Sequence, residues 1–138
     1  MTSPEQAGYP PPTINADGAP FWQAAVEGRL VLKSCMACGK RQYPPRYLCP
    51  HCWSEKLEWI ESKGMGTVYS LTVMRRAPFE AFAPRVPYVV ALVDLDEGAR
   101  MMANIVGDRA LQAKIGNRVR VCFEQRGGHA VPQFELAH

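Results

Sequence analysis

Four cysteines define the chemistry open to this chain: Cys35-Met-Ala-Cys38, ten intervening residues, then Cys49-Pro-His-Cys52. A CxxC turn points two sulfurs at one spot, and two such turns supply the four thiolates that a tetrahedral metal takes. Gly39 follows the first pair, where a knuckle needs a residue tolerant of positive φ. Pro50 stiffens the second pair. Four thiolates fill the coordination shell of zinc, whereas catalytic zinc keeps an open position for water. The expectation is one structural Zn²⁺ per chain, held by Cys35, Cys38, Cys49 and Cys52. A rubredoxin-type iron centre uses the same ligands, so the spacing specifies the ligands better than the metal. Two disulfides would need an oxidising compartment, and a redox CxxC would expect a βαβ context. His51 reads as an exposed knuckle residue. Cys122 lies in a strand-like run and reads as a small packing residue.

The other histidines are His129 in a Gly-Gly loop and His138 at the C-terminus. None stands beside a nucleophile and an orienting acid, so no catalytic residue is expected.

The elements that must carry the knuckles follow from pattern. Residues 1–16 hold Pro4, Gly8, Pro10, Pro11 and Pro12 and read as a flexible, Pro-rich tail. In residues 17–28, Pro20 opens a short helix and Gly28 ends it, with Phe21, Ala24 and Ala25 at helical spacing. Residues 29–62 form a treble-stranded, rubredoxin-like zinc ribbon. A strand over residues 29–33 enters the first knuckle, and Leu57-Glu-Trp-Ile60 alternates as the third strand. This unit is too small to hold a core, so the metal supplies its folding energy. From residue 63 the pattern is all-β, with strands at 67–75, 88–95, 100–106, 118–125 and a short one at 134–136. The run Tyr88-Val-Val-Ala-Leu-Val-Asp94 is nearly continuously apolar and is expected to be buried on both faces. Val119, Val121 and Phe123 line one face of the next-to-last strand, with Arg118, Arg120 and Cys122 on the other. Asp96-Glu-Gly98 and Ile115-Gly-Asn117 read as turns, and residues 108–114 as a short helical connection. Five strands with a small helix before the fourth predict a partly open OB barrel over residues 63–138. The fold class is therefore mainly β: helix, zinc ribbon, five-stranded OB-fold.

Composition excludes other classes. With 138 residues and 47% hydrophobic side chains the chain can pack a core, and no apolar run reaches membrane-spanning length. Met1-Thr-Ser-Pro-Glu-Gln is not a signal peptide, so a cytoplasmic location is expected. The formal charge is +3. Four thiolates and one Zn²⁺ together contribute −2, leaving about +1, far from a strongly basic nucleic-acid binder.

Taken in order, these motifs resemble one family. They are the Phe-Trp helix, Gly28-Arg-Leu30, Cys35-x-x-Cys38-Gly39, Tyr43-Pro-Pro45, Cys49-Pro-x-Cys52 and Gly64-x-Gly66-Thr67-Val68-Tyr69-Ser70. Pro87-Tyr88, Val93-x-Leu95-x-x-Gly98 and Ile115-Gly116-x-x-Val119 follow. The pattern is similar to the DUF35 family of zinc-ribbon OB-fold, acyl-CoA-associated proteins over roughly residues 17–136. The resemblance implies an accessory subunit, itself without catalytic residues, in a hetero-oligomer with a thiolase-like enzyme. That enzyme would be a thiolase, a hydroxymethylglutaryl-CoA synthase or a lipid-transfer-type aldolase. The partner would supply the catalysis, and the accessory subunit would help to bind the acyl-CoA.

Two sets of residues could serve that role. The segment 75–87 carries Arg75, Arg76 and Arg85, whose guanidiniums suit phosphates, and Phe79 and Phe82, which could stack on adenine. A solvated loop lidding the barrel is the plainer reading of the same residues. Tyr9, Phe21 and Trp22 would anchor a partner surface if exposed. A second function class is open: zinc ribbons and OB-folds both bind single-stranded nucleic acid. Residues 29–60 hold six basic and two acidic side chains, with Tyr43, Tyr47 and Trp53 among them. With the metal centre counted, that local charge is about +2.

Overall fold

The computed structural model describes residue 12, residues 18–77 and residues 80–137. Tyr9, Phe79 and His138 lie outside them.

Helix α1 (Ala19–Val26) starts with Pro20 in its first turn. It ends as the sequence predicts, at Gly28, with Gly28 N donating to Ala25 O (2.9 Å) and Arg29 N to Ala24 O (2.9 Å). These two bonds satisfy carbonyls that the helix end would otherwise leave open. Phe21, Ala24 and Ala25 form its buried face.

The ribbon has β1 (Val31–Cys35), β2 (Arg41–Gln42) and β3 (Leu57–Glu61), in the order β2-β1-β3 and all antiparallel. Register runs from Val31 opposite Glu61 to Cys35 opposite Leu57. Leu30 and Leu32 join the barrel residues and Phe21 in one core, so the ribbon is seated on the barrel.

The barrel comprises β4 (Met65–Met74), β5 (Tyr88–Leu95), β6 (Arg100–Val106), β7 (Arg118–Arg126) and β8 (His129–Leu136). Its order is β4-β5-β6-β8-β7, and β7 returns to β4, so the barrel is closed rather than partly open. The β6–β8 contact is parallel and the rest antiparallel, which is OB topology. Gly66 lies where a side chain would meet Asp94 O and Val93 Cγ1, each 2.7 Å from a Cβ placed there. Its bare backbone lets β4 lie close against β5.

Two strand expectations need correction. β5 is not buried on both faces: Val89, Ala91, Val93 and Leu95 point inward, while Tyr88, Val90 and Leu92 are half-buried on the outer face. β8 is eight residues long, not a stub near residue 134. Pro132 argues against a strand, but β6 reaches β8 only at Phe134 and Glu135. Before those residues β8 has an open edge, where proline is tolerated.

Ribbon and barrel are fastened at the β5–β6 turn. Glu97 accepts from Ser62 Oγ (2.7 Å) and from Lys63 N (3.0 Å), and its own carbonyl accepts from Arg41 Nη1 (3.4 Å). Among the described residues no helix is long and apolar enough to cross a membrane.

Candidate metal centre and binding surfaces

The four cysteine sulfurs converge as their spacing predicts. All four Sγ atoms lie within 4.8 Å of one another, with Cys35–Cys52 at 3.5 Å and Cys38–Cys49 at 3.6 Å. A disulfide would bring a pair to about 2.05 Å. Zn–S bonds of ~2.3 Å in a tetrahedron give sulfur–sulfur edges of ~3.8 Å, so the cage fits zinc. Cys35 and Cys49 are buried, Cys38 and Cys52 exposed.

Local backbone explains how the cage is primed. Cys38 N points at Cys35 Sγ (3.4 Å) and His51 N at Cys49 Sγ (3.4 Å), the amide–thiolate contacts of a knuckle. The amides of Cys38 and Ala37 pull the Cys35 thiol down to about 6. Cys35 is therefore ready to release its proton to a metal. Gly39 adopts φ 80°, as expected, and its N–H returns to Cys35 O at 2.8 Å. His51 is exposed in the knuckle. Cys122 is half-buried; burial pushes its thiol up to about 11, as befits a packing residue rather than a nucleophile.

The arginine loop behaves differently from its sequence reading. Arg75 and Arg76 are exposed after β4. The backbone of Phe82 lies in a 3-10 turn, Glu80–Arg85. Arg85 is not a free phosphate donor: its guanidinium pairs with Glu124 at 2.9 Å, and both side chains are largely buried. Arg126 binds the same carboxylate at 3.0 Å. Burial alone would raise the Glu124 carboxyl, but the two guanidiniums reverse this and hold it below the usual carboxylate range. Charge patterning could not reveal the trio, because 39 residues separate Arg85 from Glu124.

The aromatic helix also needs correction. Phe21 is 2% exposed and belongs to the core, so it cannot anchor a partner. Its ring meets Trp22 edge-on at 5.0 Å and Tyr43 at 5.4 Å. Trp22 is half-buried and borders a cleft of about 290 Å³ between α1, Tyr43 and the outer barrel face. Tyr88, Met102, Asn104 and Gln133 also line that cleft. Gln133 is buried, donates to Asn104 Oδ1 (3.2 Å) and accepts from Asn104 N (2.7 Å). No sequence motif marks these residues; the barrel's register brings them together.

Against this geometry, known proteins match in a consistent way. The ChsH2 rubredoxin-like zinc ribbon domain matches residues 22–58, and the ChsH2 C-terminal OB-fold domain matches residues 59–124. A probable enoyl-CoA hydratase alpha subunit of Thermomonospora curvata is 44% identical over 107 residues, covering 78% of this chain and 33% of that protein. The chain thus spans about a third of that relative's length. A DUF35 domain-containing scaffold protein of Methanothermobacter thermautotrophicus is 37% identical over 92 residues, covering 66% of this chain and 68% of that protein. Among solved structures, a chain of the Ltp2-ChsH2(DUF35) aldolase superposes with TM-score 0.81 at 39% identity, covering 93% of this chain and 100% of that one. With ribbon and barrel matched in tandem around one structural zinc site, the chain belongs to the DUF35 family of zinc-ribbon OB-fold proteins.

Proposed function

We propose that this chain is a non-catalytic accessory subunit that associates with a thiolase-superfamily enzyme and helps to hold its acyl-CoA substrate. The observation that carries the reading is the likeness, over nearly the whole chain, to the DUF35 chain of an aldolase named for two components, Ltp2 and ChsH2. A relative named as a CoA-ester hydratase subunit carries the same module within a longer chain. The chemistry of the residues agrees. The four-thiolate site is closed, and in the Arg85–Glu124–Arg126 trio the carboxylate is held ionised between two guanidiniums, which suits positioning rather than proton transfer. Reduced cysteines fit a cytoplasmic setting. With Arg85 committed to Glu124, Arg75 and Arg76 are the arginines of this loop that would meet CoA phosphates.

Co-expression with a thiolase-superfamily protein from the same genome tests the reading. One size-exclusion peak containing both chains and one zinc per copy of this chain is expected. Two separate peaks at micromolar concentration would overturn it.

A further inference from the structure

Trp53 occupies a place that its own fold would fill more comfortably with glycine. The two knuckles share one backbone construction. Gly39 N donates to Cys35 O at 2.8 Å in the first, and Trp53 N to Cys49 O at 2.9 Å in the second. Both residues adopt the left-handed conformation, Gly39 at φ 80° and Trp53 at φ 67°. Among the described residues Trp53 is the one non-glycine at positive φ. Glycine makes that turn freely, whereas a bulky side chain there is an outlier. Burial does not compensate, because Trp53 is 78% exposed. Strain kept at an exposed aromatic residue points to a use outside the chain.

The surroundings indicate what kind of partner. Met36 flanks Cys35 and Leu48 flanks Cys49, and both side chains are exposed. The sulfurs of Cys35 and Cys52 lie 3.5 Å apart, so the metal cage draws these flanking residues and Trp53 towards one tip. Four of the ribbon's six cations are engaged within the chain. Lys33 lies over the Tyr47 and Trp59 rings at 5.6 and 5.1 Å and donates to Arg46 O. Arg29 pairs with Glu27 and Glu61, Arg41 reaches Glu97 O, and Arg46 holds Pro45 O. Lys40 and Lys56 are exposed, with Glu55 and Glu58 beside Lys56 in the sequence. An apolar tip beside a ribbon with most of its cations engaged inside the chain suits a protein surface better than a phosphate backbone, which is bound through many free Lys and Arg.

We propose that the zinc-knuckle tip, with Trp53 at its centre and Met36 and Leu48 flanking the ligands, seats this chain in an apolar socket on its enzyme subunit. This rests on the subunit reading above and names its interface. The four-thiolate cage holds the tip rigid before contact, so binding loses little conformational freedom.

The test is Trp53→Gly in the full zinc-loaded chain, titrated by calorimetry against a thiolase-superfamily protein from the same genome. Trp53→Gly is expected to keep one zinc, to melt at or above the wild-type temperature, and to bind about ten-fold or more weakly. Trp53→Ala loses the same affinity, and Met36→Ala loses less. A wild-type complex with Trp53→Gly binding within about two-fold overturns the tip and leaves the subunit reading standing. No wild-type complex overturns both. A lower melting temperature or lost zinc in Trp53→Gly makes Trp53 structural and overturns the proposal. Wild-type binding to an oligo-dT strand that Trp53→Gly abolishes assigns the tip to nucleic acid, and also overturns it.

Discussion

Truncating Phe21 to alanine tests whether the aromatic helix is part of the fold. Phe21 is almost fully buried and shares a core with Leu30, Leu32 and the inward barrel residues. Removing a buried phenylalanine costs about 3–5 kcal/mol, through lost burial and the cavity left behind. Part of this is ring contact with Trp22 and Tyr43, since each aromatic pair contributes about 0.5–1.5 kcal/mol. Helix α1 has eight residues, and isolated helices shorter than about 12–15 residues are marginal in water. Without its anchor the whole helix should therefore leave the barrel. At roughly 3 °C per kcal/mol for a chain of this size, the melting temperature should fall by about 10–15 °C. Trp22→Ala, at a half-buried ring, should cost roughly half as much. Thermal melts followed by far-UV circular dichroism and by tryptophan emission would measure both, with metal analysis showing zinc unchanged. A Phe21→Ala melt within about 3 °C of wild type, or a larger loss for Trp22→Ala, would refute the docking described above.

Cys35→Ser should lower bound zinc well below one per chain and loosen the ribbon. Structural zinc supplies about 10–16 kcal/mol of apparent binding energy in small zinc modules. Stoichiometric zinc with an unchanged melt would remove the metal from the folding account. At neutral pH, Glu124→Gln should cost about 2–3 kcal/mol by leaving Arg85 and Arg126 without their carboxylate. The Glu124 carboxyl titrates below its usual 4.5 in the folded state, so its contribution is complete above that value and fades as pH falls through the lower folded value. Urea titrations should show wild-type stability falling more steeply with acid than the variant's. Parallel slopes would show that the trio is not what holds Glu124 ionised.

Local signals read well from the chain because their causes are local. Two CxxC turns impose one cage, Pro20 and Gly28 bound a helix, and the turn at Asp96-Glu-Gly98 closes a hairpin. What failed depended on distant neighbours. The apolar run of β5 is buried on one face only, because nothing within the described residues fully covers Tyr88, Val90 and Leu92. Phe21 and Trp22 are adjacent and alike in type, yet one is core and the other borders a cleft, a difference set by where α1 lands on the barrel. Arg85 reads as a phosphate donor from its neighbours in sequence, but Glu124 reaches it from β7, 39 residues on. Trp53 was in plain view as one of several ribbon aromatics. Its meaning needed the backbone angle and the comparison with Gly39.

A subunit whose proposed work is positional depends on rigidity between its surfaces, and the fold supplies this at three levels. The zinc cage fixes the knuckles to one another. The Glu97 carboxylate, bound to Ser62 and Lys63, fixes the ribbon to the β5–β6 turn. Leu30 and Leu32 are packed in the same core as Val68, Val93 and Phe134, so the ribbon cannot tilt without opening that core. A socket that seats Trp53 therefore also sets where Arg75 and Arg76 stand. Seating one end and presenting the other becomes a single binding event, and the second contact gains the high effective concentration of a tethered group. On the proposed reading, that coupling is what a zinc ribbon fastened rigidly to a closed OB barrel would supply.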